Sequence, residues 1–404
     1  MTVVAEGRSR RRRILVTCNL AHSQHDGMVD MLYPLLPLLA QTFGLSFAEV
    51  GMIRAANKAA MSIFQLPAGI LSERLGERSM LALGTICSGV AFLLLGLSSG
   101  FLTLLTFLFL AGCGNAVQHP LCSSLISGAY DGGGRRGALG TYNFFGDVGK
   151  IAFAGFTSLM IGAGFAWNVP VLVAGGTGIA VGLAVFVSLG ALGAAGAPAR
   201  RHDHEALPVR QGWGIRDRSG FSALCGIAVL DSVTRSGFLT FLAFLMIARD
   251  VPEGWAAMAV VMVFAGGMVG KLACGYLADR IGVIRTVVVT EIATGVGILL
   301  TLVLPSPWSF FLLPFIGVAL NGTSSVLYGT IGDLVEGDRQ SRAFGLFYTL
   351  GSACGILAPL GYGLLGDIIG IPATIAVVGC VIFLTIPLCF LLRPAIGAAR
   401  VSPV

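Results

Sequence analysis

Twelve apolar segments, each of about 20 residues or more, recur along the chain and constrain its fold more than any other feature. A run of that length crosses the ~30 Å hydrocarbon core of a bilayer as an α-helix, which rises about 1.5 Å per residue. Within lipid all backbone polar groups must be paired inside the protein, which favours helices for such segments. The sequence therefore predicts an all-α membrane protein with twelve transmembrane helices, at about 14–40, 48–71, 79–97, 101–127, 138–162, 168–192, 219–247, 255–278, 284–304, 308–332, 342–366 and 372–393.

The charge content supports this prediction and excludes several functions. Only 11% of the residues are Asp, Glu, Lys or Arg, whereas a soluble domain carries about 25%. This scarcity excludes an ordinary cytosolic enzyme, a disordered protein and a nucleic-acid binder. An intramembrane enzyme would need a motif such as G-x-S-x-G or H-E-x-x-H, and neither occurs, so we expect no enzyme. The expected partners are the lipid bilayer, a small-molecule substrate and no nucleic acid.

The longest polar interval divides the apolar segments into six and six. It predicts an N-terminal six-helix bundle at 1–192, a cytoplasmic linker at 193–218 and a C-terminal six-helix bundle at 219–404. Of the basic residues, 20 lie in the loops on the side of the N-terminus and one, Arg249, lies in the opposite loops. Because loops rich in Lys and Arg stay in the cytoplasm, we expect both termini on the cytoplasmic side of the inner membrane.

A short motif occurs once in each half, at an offset of 206 residues. Gly69-Ile70-Leu71-Ser72-Glu73-Arg74-Leu75-Gly76 returns as Gly275-Tyr276-Leu277-Ala278-Asp279-Arg280-Ile281-Gly282. Each copy joins the second and third predicted helices of its half. Parallel six-helix repeats of this kind favour a substrate site near the middle of the membrane, between the halves.

These two motifs resemble the signature of the major facilitator superfamily, G-x-L-a-D-R-x-G between helices two and three, with Glu73 in place of the usual Asp. The resemblance covers the whole chain and implies the major facilitator fold and secondary active transport. It also implies that Glu73, Arg74, Asp279 and Arg280 belong to a cytoplasmic gate, with Arg135, Arg136, Arg339 and Arg342 as candidate partners. A solvated charged face is the alternative.

The first half is similar to the fosmidomycin-resistance-type exporters of that superfamily. The matching stretches are His22 to Asp26 before Tyr33-Pro34-Leu35-Leu36, Leu45-Ser46-Phe47 with Gly51, and Gly112 to Pro120 with its His-Pro pair. This similarity implies efflux driven by the proton gradient, without a cofactor, and we expect a monomer. The Gly-Pro antiporter signature is absent from helix five and degenerate in helix eleven, so that motif does not support antiport.

Ten Asp, Glu, Lys or Arg residues lie six or more positions inside the predicted helices, where a charge at the centre costs about 2.5 to 3.5 kcal/mol. With 1.5 Å per residue, Asp26 and Lys58 reach ~18 and ~15 Å from the cytoplasmic side, and Asp30 and Arg54 reach ~24 and ~21 Å. The sequence therefore predicts that Asp26 faces Lys58 and that Asp30 faces Arg54. Near the cytoplasmic side we expect Lys271 and Glu291 to form a structural pair.

We interpret most of these residues as a polar translocation site, since repeated charge burial in several helices indicates a function. The alternative is a set of structural ion pairs between helices. The expected substrate-binding residues are Arg54, Lys58, Lys150, Arg235, Asn115 and Tyr328, and the expected proton-coupling residues are Asp26, Asp30, Asp147, Asp231, His22, His25 and His119. When substrate takes the cation that faces a carboxylate, that carboxylate becomes free to accept a proton.

Three histidines and Asp26 also allow a divalent-metal site, but their spacing is not a zinc signature. We favour polar packing or proton relay and expect no metal. The sequence thus predicts a proton-coupled exporter of a small anionic or amphiphilic organic compound. The alternative is an uptake carrier for an organic anion or a divalent metal ion.

Overall fold

The structure is a computed structural model that describes residues 2–130, 134–193, 214–335 and 340–401. It forms two compact units, one from residues 1–45 and 52–207 and the other from residues 46–51 and 208–404. Most of the predicted linker at 193–218, and Arg339 among the candidate gate partners, lie outside the described residues.

The described residues are almost entirely helical and contain no β-sheet, which confirms the all-α prediction. The helices up to residue 193 are α1 (Thr2–Asp30), α2 (Leu32–Phe43), α3 (Phe47–Leu75), α4 (Glu77–Leu95), α5 (Phe101–Asn115), α6 (Gln118–Ala129), α7 (Arg135–Gly162) and α8 (Asn168–Ala191). Those after residue 213 are α9 (Arg218–Ile247), α10 (Glu253–Ile281), α11 (Val283–Val303), α12 (Ser306–Leu334), α13 (Gln340–Ile369), α14 (Ile371–Val381) and α15 (Thr385–Val401).

Ten of the twelve predicted spans are helices long and apolar enough to cross a membrane, judged over the described part of the chain. The first two predicted spans, 14–40 and 48–71, are helical as well but lie outside this set. They carry Asp26 and Asp30 in the first span and Arg54 and Lys58 in the second. These two spans therefore carry four of the residues predicted for the site.

Two spans of the first unit are broken, and a proline explains each break. Pro34 has no N–H to pair with the carbonyl of Asp30, where α1 ends, and Pro120 has none for the carbonyl of Ala116, which follows α5. Helix α2 begins at Leu32 and α6 at Gln118. Both breaks lie beside residues predicted for the site, Asp30 and His119.

The two copies of the repeated motif have the same backbone. Gly76 joins α3 to α4 with φ 85° and ψ 140°, and Gly282 joins α10 to α11 with φ 90° and ψ 153°. A positive φ of this size favours glycine, because a side chain would be strained there. One glycine therefore makes the whole connection in each copy, which explains why the motif ends on it.

Small residues bring helices close together within each unit, as is common in membrane proteins. In the first unit a Cβ atom at Gly149 of α7 would meet the backbone of Ser23 of α1. In the second unit a Cβ atom at Gly270 of α10 would meet the backbone of Val318 of α12. The contact of α1 with α7 decides which charged residues meet in the first unit.

Candidate functional site

Three imidazole rings surround one carboxylate oxygen of Asp26 in the first unit. The Nε2 atoms of His22, His25 and His119 lie 3.4, 3.7 and 3.9 Å from Asp26 Oδ1. His22 and Asp26 are one helical turn apart on α1, and His119 comes from the start of α6. His22 and His25 are 3% and 6% exposed, so this cluster lies almost entirely inside the helical unit.

Lys150 connects three carboxylates on the other side of Asp26. Its Nζ atom lies 3.4 Å from Asp26 Oδ2, 3.6 Å from Asp30 Oδ2 and 3.5 Å from Asp147 Oδ1. Lys150 and Asp147 belong to α7, whereas the other two acids belong to α1. One ammonium group therefore compensates charge on both helices, and a change at any of the three acids alters the surroundings of the others.

The predicted pair of Asp30 with Arg54 is present. Arg54 Nη2 lies 3.1 Å from Asp30 Oδ1, and Nη1 donates to the carbonyl oxygen of Val29 at 3.4 Å. The guanidinium also lies over the ring of Tyr33, 4.1 Å from its centroid, in a cation–π contact. Arg54 is thus held on several sides within the same network.

The predicted pair of Asp26 with Lys58 is wrong. Among the described residues no carboxylate lies within 4.0 Å of Lys58 Nζ, and Lys150 occupies the position beside Asp26 instead. The rise per residue fixes the height of a side chain in a helix but not which neighbour its face meets. Here α1 packs closely on α7 through Gly149, and this contact brings Lys150 to Asp26.

Tyr142 and Gly146, two residues of α7 that are not among the predicted site residues, shape the histidine cluster. The carbonyl oxygen of Tyr142 lies 2.8 Å from His22 Nδ1, and the two rings stack with centroids 4.0 Å apart. Because a carbonyl oxygen can only accept, His22 Nδ1 carries a proton and donates it. A Cβ atom at Gly146 would lie 2.6 Å from His22 Cε1 and 2.8 Å from Asp26 Oδ2, so this glycine leaves the space that both side chains occupy.

Asn115 lies near His25, beside the same small cavity, and not beside the cations of the network. Its Oδ1 accepts a hydrogen bond from Ser88 at 2.8 Å, and its Nδ2 is buried without a partner among the described residues. A small cavity there is lined by Gln24, His25, Ser88, Asn115 and Gln118, among others. Asn115 therefore borders the histidine cluster but not the cationic part of the network.

A second, smaller charge group lies in the second unit on α9. Asp231 Oδ2 is 3.2 Å from Arg235 Nη2, and Arg235 Nη1 donates to the hydroxyl of Ser324 at 2.7 Å. Tyr328, on α12 with Ser324, packs against the rings of Phe347 and Tyr348. The structure thus places Arg235 in a pair with Asp231 and puts Tyr328 in an aromatic cluster of the same unit.

The predicted pair of Lys271 with Glu291 is wrong. Glu291 is 1% exposed, and neither carboxylate oxygen has a hydrogen-bond partner among the described residues. It lies instead close enough to Asp231 and Arg235 to interact with them electrostatically. Glu291 therefore points into the interior of the second unit, which its depth along the chain did not indicate.

The four predicted gate residues are exposed, and none makes an ion pair with another described residue. Arg280 lies over the ring of Tyr276, one turn earlier on α10, 4.4 Å from its centroid. Arg135 is described and exposed, whereas the side chains of Arg136 and Arg342 lie outside the described set. The gate assignment therefore stays a prediction.

Comparison with known proteins identifies the family to which the chain belongs. The family model of the Major Facilitator Superfamily matches residues 20–248 and 224–404. The uncharacterized MFS-type transporter YfnC of Bacillus subtilis (strain 168) is 25% identical over 373 residues, 89% of this chain and 88% of YfnC. The fosmidomycin resistance protein of Escherichia coli (strain K12) is 30% identical over 124 residues, 31% of this chain and 30% of that protein.

Among solved structures, a bacterial homolog of the human lysosomal transporter Spinster, in an inward-facing and occupied conformation, is similar with a TM-score of 0.82. The alignment covers 98% of this chain and 99% of the other at 16% identity. At this identity the likeness concerns the fold alone, and it confirms the predicted fold class.

Proposed function

This chain belongs to the major facilitator superfamily and is a multi-pass membrane transporter of small molecules, and we propose that it exports a small anionic or amphiphilic organic compound in exchange for protons. The observation that carries this proposal is the network in which Lys150 is shared by Asp26, Asp30 and Asp147. The proposal includes both termini in the cytoplasm, because the basic residues concentrate in the loops on that side.

The position of Lys58 supports an anionic cargo. Three carboxylates stand beside the cations Lys150, Arg54 and Lys58, and Lys58 makes no ion pair with a described carboxylate. Buried cations in a membrane helix are costly unless they are paired or line a polar path. In our proposal an anionic group of the cargo pairs first with Lys58 and then competes for Lys150.

The coupling step follows from that competition. When the cargo draws Lys150 away, Asp26 loses the ammonium at Oδ2 while the imidazoles remain at Oδ1. A carboxylate that loses its partner cation inside a helical unit binds a proton more readily. Cargo binding and protonation of Asp26 would therefore be linked, which is the requirement for proton-coupled transport. The relation to a fosmidomycin resistance protein supports the outward direction.

The test is a flux assay in proteoliposomes that contain a pH-sensitive dye. Fosmidomycin and benzoate serve as probe anions, and an imposed pH gradient drives the exchange. We expect the parental protein and Asp333→Asn, a change at an exposed acid of α12, to move protons when a probe is added. We expect Asp26→Asn to bind the probe but to lose proton movement. Proton-coupled flux that survives in Asp26→Asn contradicts the assignment.

The same assay separates the alternative of an uptake carrier. Accumulation of the probe inside vesicles under an inward proton gradient indicates symport and hence uptake, whereas export predicts accumulation under the opposite gradient. Uptake of Zn²⁺ or Mn²⁺ in place of the organic probes would identify a divalent metal ion as the cargo.

A further inference from the structure

The imidazole cluster contains an arrangement of acceptors that needs a cation. Because His22 Nδ1 donates to the carbonyl oxygen of Tyr142, the neutral ring has its lone pair on Nε2. That lone pair faces Asp26 Oδ1 at 3.4 Å, and Nε2 is buried without a hydrogen-bond partner among the described residues. Two acceptors facing each other at this distance repel unless a proton or a metal ion lies between them.

The distances fit a metal ion. Zn²⁺ binds imidazole nitrogen at about 2.0–2.1 Å and carboxylate oxygen at about 2.0–2.2 Å, so two ligand atoms of a tetrahedral site are ~3.4 Å apart. Asp26 Oδ1 lies 3.4 Å from His22 Nε2 and 3.9 Å from His119 Nε2. One ligand atom from each of these residues lies within 4.8 Å of the other two. To complete the site, the Asp26 carboxylate would shift by a few tenths of an ångström, and the two imidazole rings would approach each other by a larger distance.

Both candidate imidazole ligands are oriented by one residue. The carbonyl oxygen of Tyr142 holds His22 Nδ1 at 2.8 Å, and its hydroxyl lies 3.5 Å from His119 Nδ1. The hydroxyl also donates to Gln118 Oε1 at 3.2 Å. Ligating histidines usually pair their second ring nitrogen in this way, which fixes the tautomer and aims the free nitrogen at the metal. His25 has no such support, since its Nδ1 is buried without a partner among the described residues.

The two cations that pair with the acids of α1 lie away from the proposed metal position. Lys150 lies at Asp26 Oδ2, on the opposite oxygen from the imidazoles, and Arg54 is held by Asp30. The side chain of His119 is 39% exposed, which gives the cluster one open side. Three protein ligands with an open fourth position are typical of zinc sites that bind a further molecule.

From this geometry we propose that His22, Asp26 and His119 bind one divalent transition-metal ion of the zinc class, with the fourth coordination position open. Imidazole with carboxylate suits Zn²⁺ and Co²⁺ and disfavours Mg²⁺ and Ca²⁺, which prefer oxygen ligands. Tyr142 acts as a positioning residue. The proposal concerns binding alone and does not depend on the cargo or direction of transport.

The test uses the full chain, purified through an affinity tag without histidine and carrying His202→Ala and His204→Ala. The sequence has five histidines, so this background retains only the three at the cluster. Co²⁺ is titrated while its visible d–d absorption and the bound metal per chain are recorded. A thiolate charge-transfer band would reveal binding by any of the nine cysteines instead. We expect one equivalent of Co²⁺, displaced by Zn²⁺ and not by Mg²⁺, without a thiolate band.

Three variants in this background decide the ligand assignment. His119→Gln, at the most exposed ligand, and His22→Gln should each abolish the d–d bands. Tyr142→Phe keeps the carbonyl but removes the hydroxyl, and it should weaken Co²⁺ binding about 10-fold, as expected when an outer partner of a ligand is lost. Gel filtration shows that each variant is folded. No binding by the parental background, or unchanged binding in folded His119→Gln, overturns the proposal and indicates that a proton holds the cluster together.

Discussion

Gly146→Ala is the most discriminating change at the network, because it adds one methyl group beside His22 and Asp26 without altering any charge. The added Cβ would lie 2.6 Å from His22 Cε1 and 2.8 Å from Asp26 Oδ2, whereas ordinary contacts begin at 3.4 Å. The two side chains must therefore move by about 0.8 and 0.6 Å, or α7 must move away from α1. Such overpacking costs about 1–3 kcal/mol.

A matched control is available on the same helix. A Cβ atom at Gly140 would have no heavy atom within 4 Å. Gly140→Ala should therefore stabilise α7 by about 0.5–1 kcal/mol, because alanine loses less conformational entropy than glycine when it enters a helix. Gly146→Ala gains the same amount. The difference between the two variants isolates the steric effect on the network. A third variant, Gly149→Ala, places its Cβ against the backbone of Ser23, which cannot rotate away, and should be the least stable of the three.

The assays are the thermal unfolding temperature in detergent and the proton flux in proteoliposomes. We expect Gly140→Ala to unfold at or above the parental temperature and to keep its flux. We expect Gly146→Ala to unfold below Gly140→Ala and to lose flux by about 10-fold or more, since a displacement near 1 Å in a reacting group costs up to ~100-fold. Equal flux in the two variants would refute the reasoning that His22 and Asp26 need the space left by Gly146.

Three further predictions concern stability and are checked by thermal unfolding. Lys150→Met leaves three carboxylates without their shared ammonium and should lower the free energy of unfolding by about 3–5 kcal/mol. Adding Asp147→Asn should restore part of this stability. An unchanged unfolding temperature would contradict the role of Lys150 as the common partner of the three acids. Glu291→Leu should leave the unfolding temperature unchanged or raise it, because an unpartnered buried carboxyl is unfavourable, and a clear decrease would indicate an ion pair. Arg54→Lys should lower the free energy of unfolding by about 1 kcal/mol, because lysine lacks the planar guanidinium that bonds two acceptors and lies over the Tyr33 ring. An unchanged unfolding temperature would mean that the ion pair with Asp30 is the only contact of Arg54 that matters for stability.

The helices were predictable from the sequence because the membrane imposes their length. Apolar runs near 20 residues predicted ten spans that the described residues contain as helices long and apolar enough to cross a membrane, and the breaks near Met31 and Ala116 follow from Pro34 and Pro120. The one-residue connections at Gly76 and Gly282 likewise follow from a motif that ends on glycine. These features depend on local sequence, so no knowledge of the neighbouring helices was needed.

The partners within the network were predictable only in part. Depth along the helix correctly paired Asp30 with Arg54 but gave Asp26 the wrong lysine. Depth also placed Lys271 beside Glu291, although Glu291 lies within electrostatic range of Asp231 and Arg235 instead. The missing information is the rotation of each helix about its axis, which depends on close packing such as that of α1 and α7. Gly149, where α7 meets the backbone of Ser23, is the signal that would have indicated Lys150.

The distribution of charge among the spans shows why the network must be considered as one unit. Among the described residues ten spans are helices long and apolar enough to cross a membrane, and the first two lie outside this set. Asp26 and Asp30 of the first span are compensated by Arg54 of the second and Lys150 of the fifth. In the proposed function, the ion pairs that compensate the acids of the first span are therefore the same ones that cargo binding would use. In the proposed function, a cargo that replaces a cation must supply equivalent charge, and this requirement would link cargo binding to the protonation of Asp26.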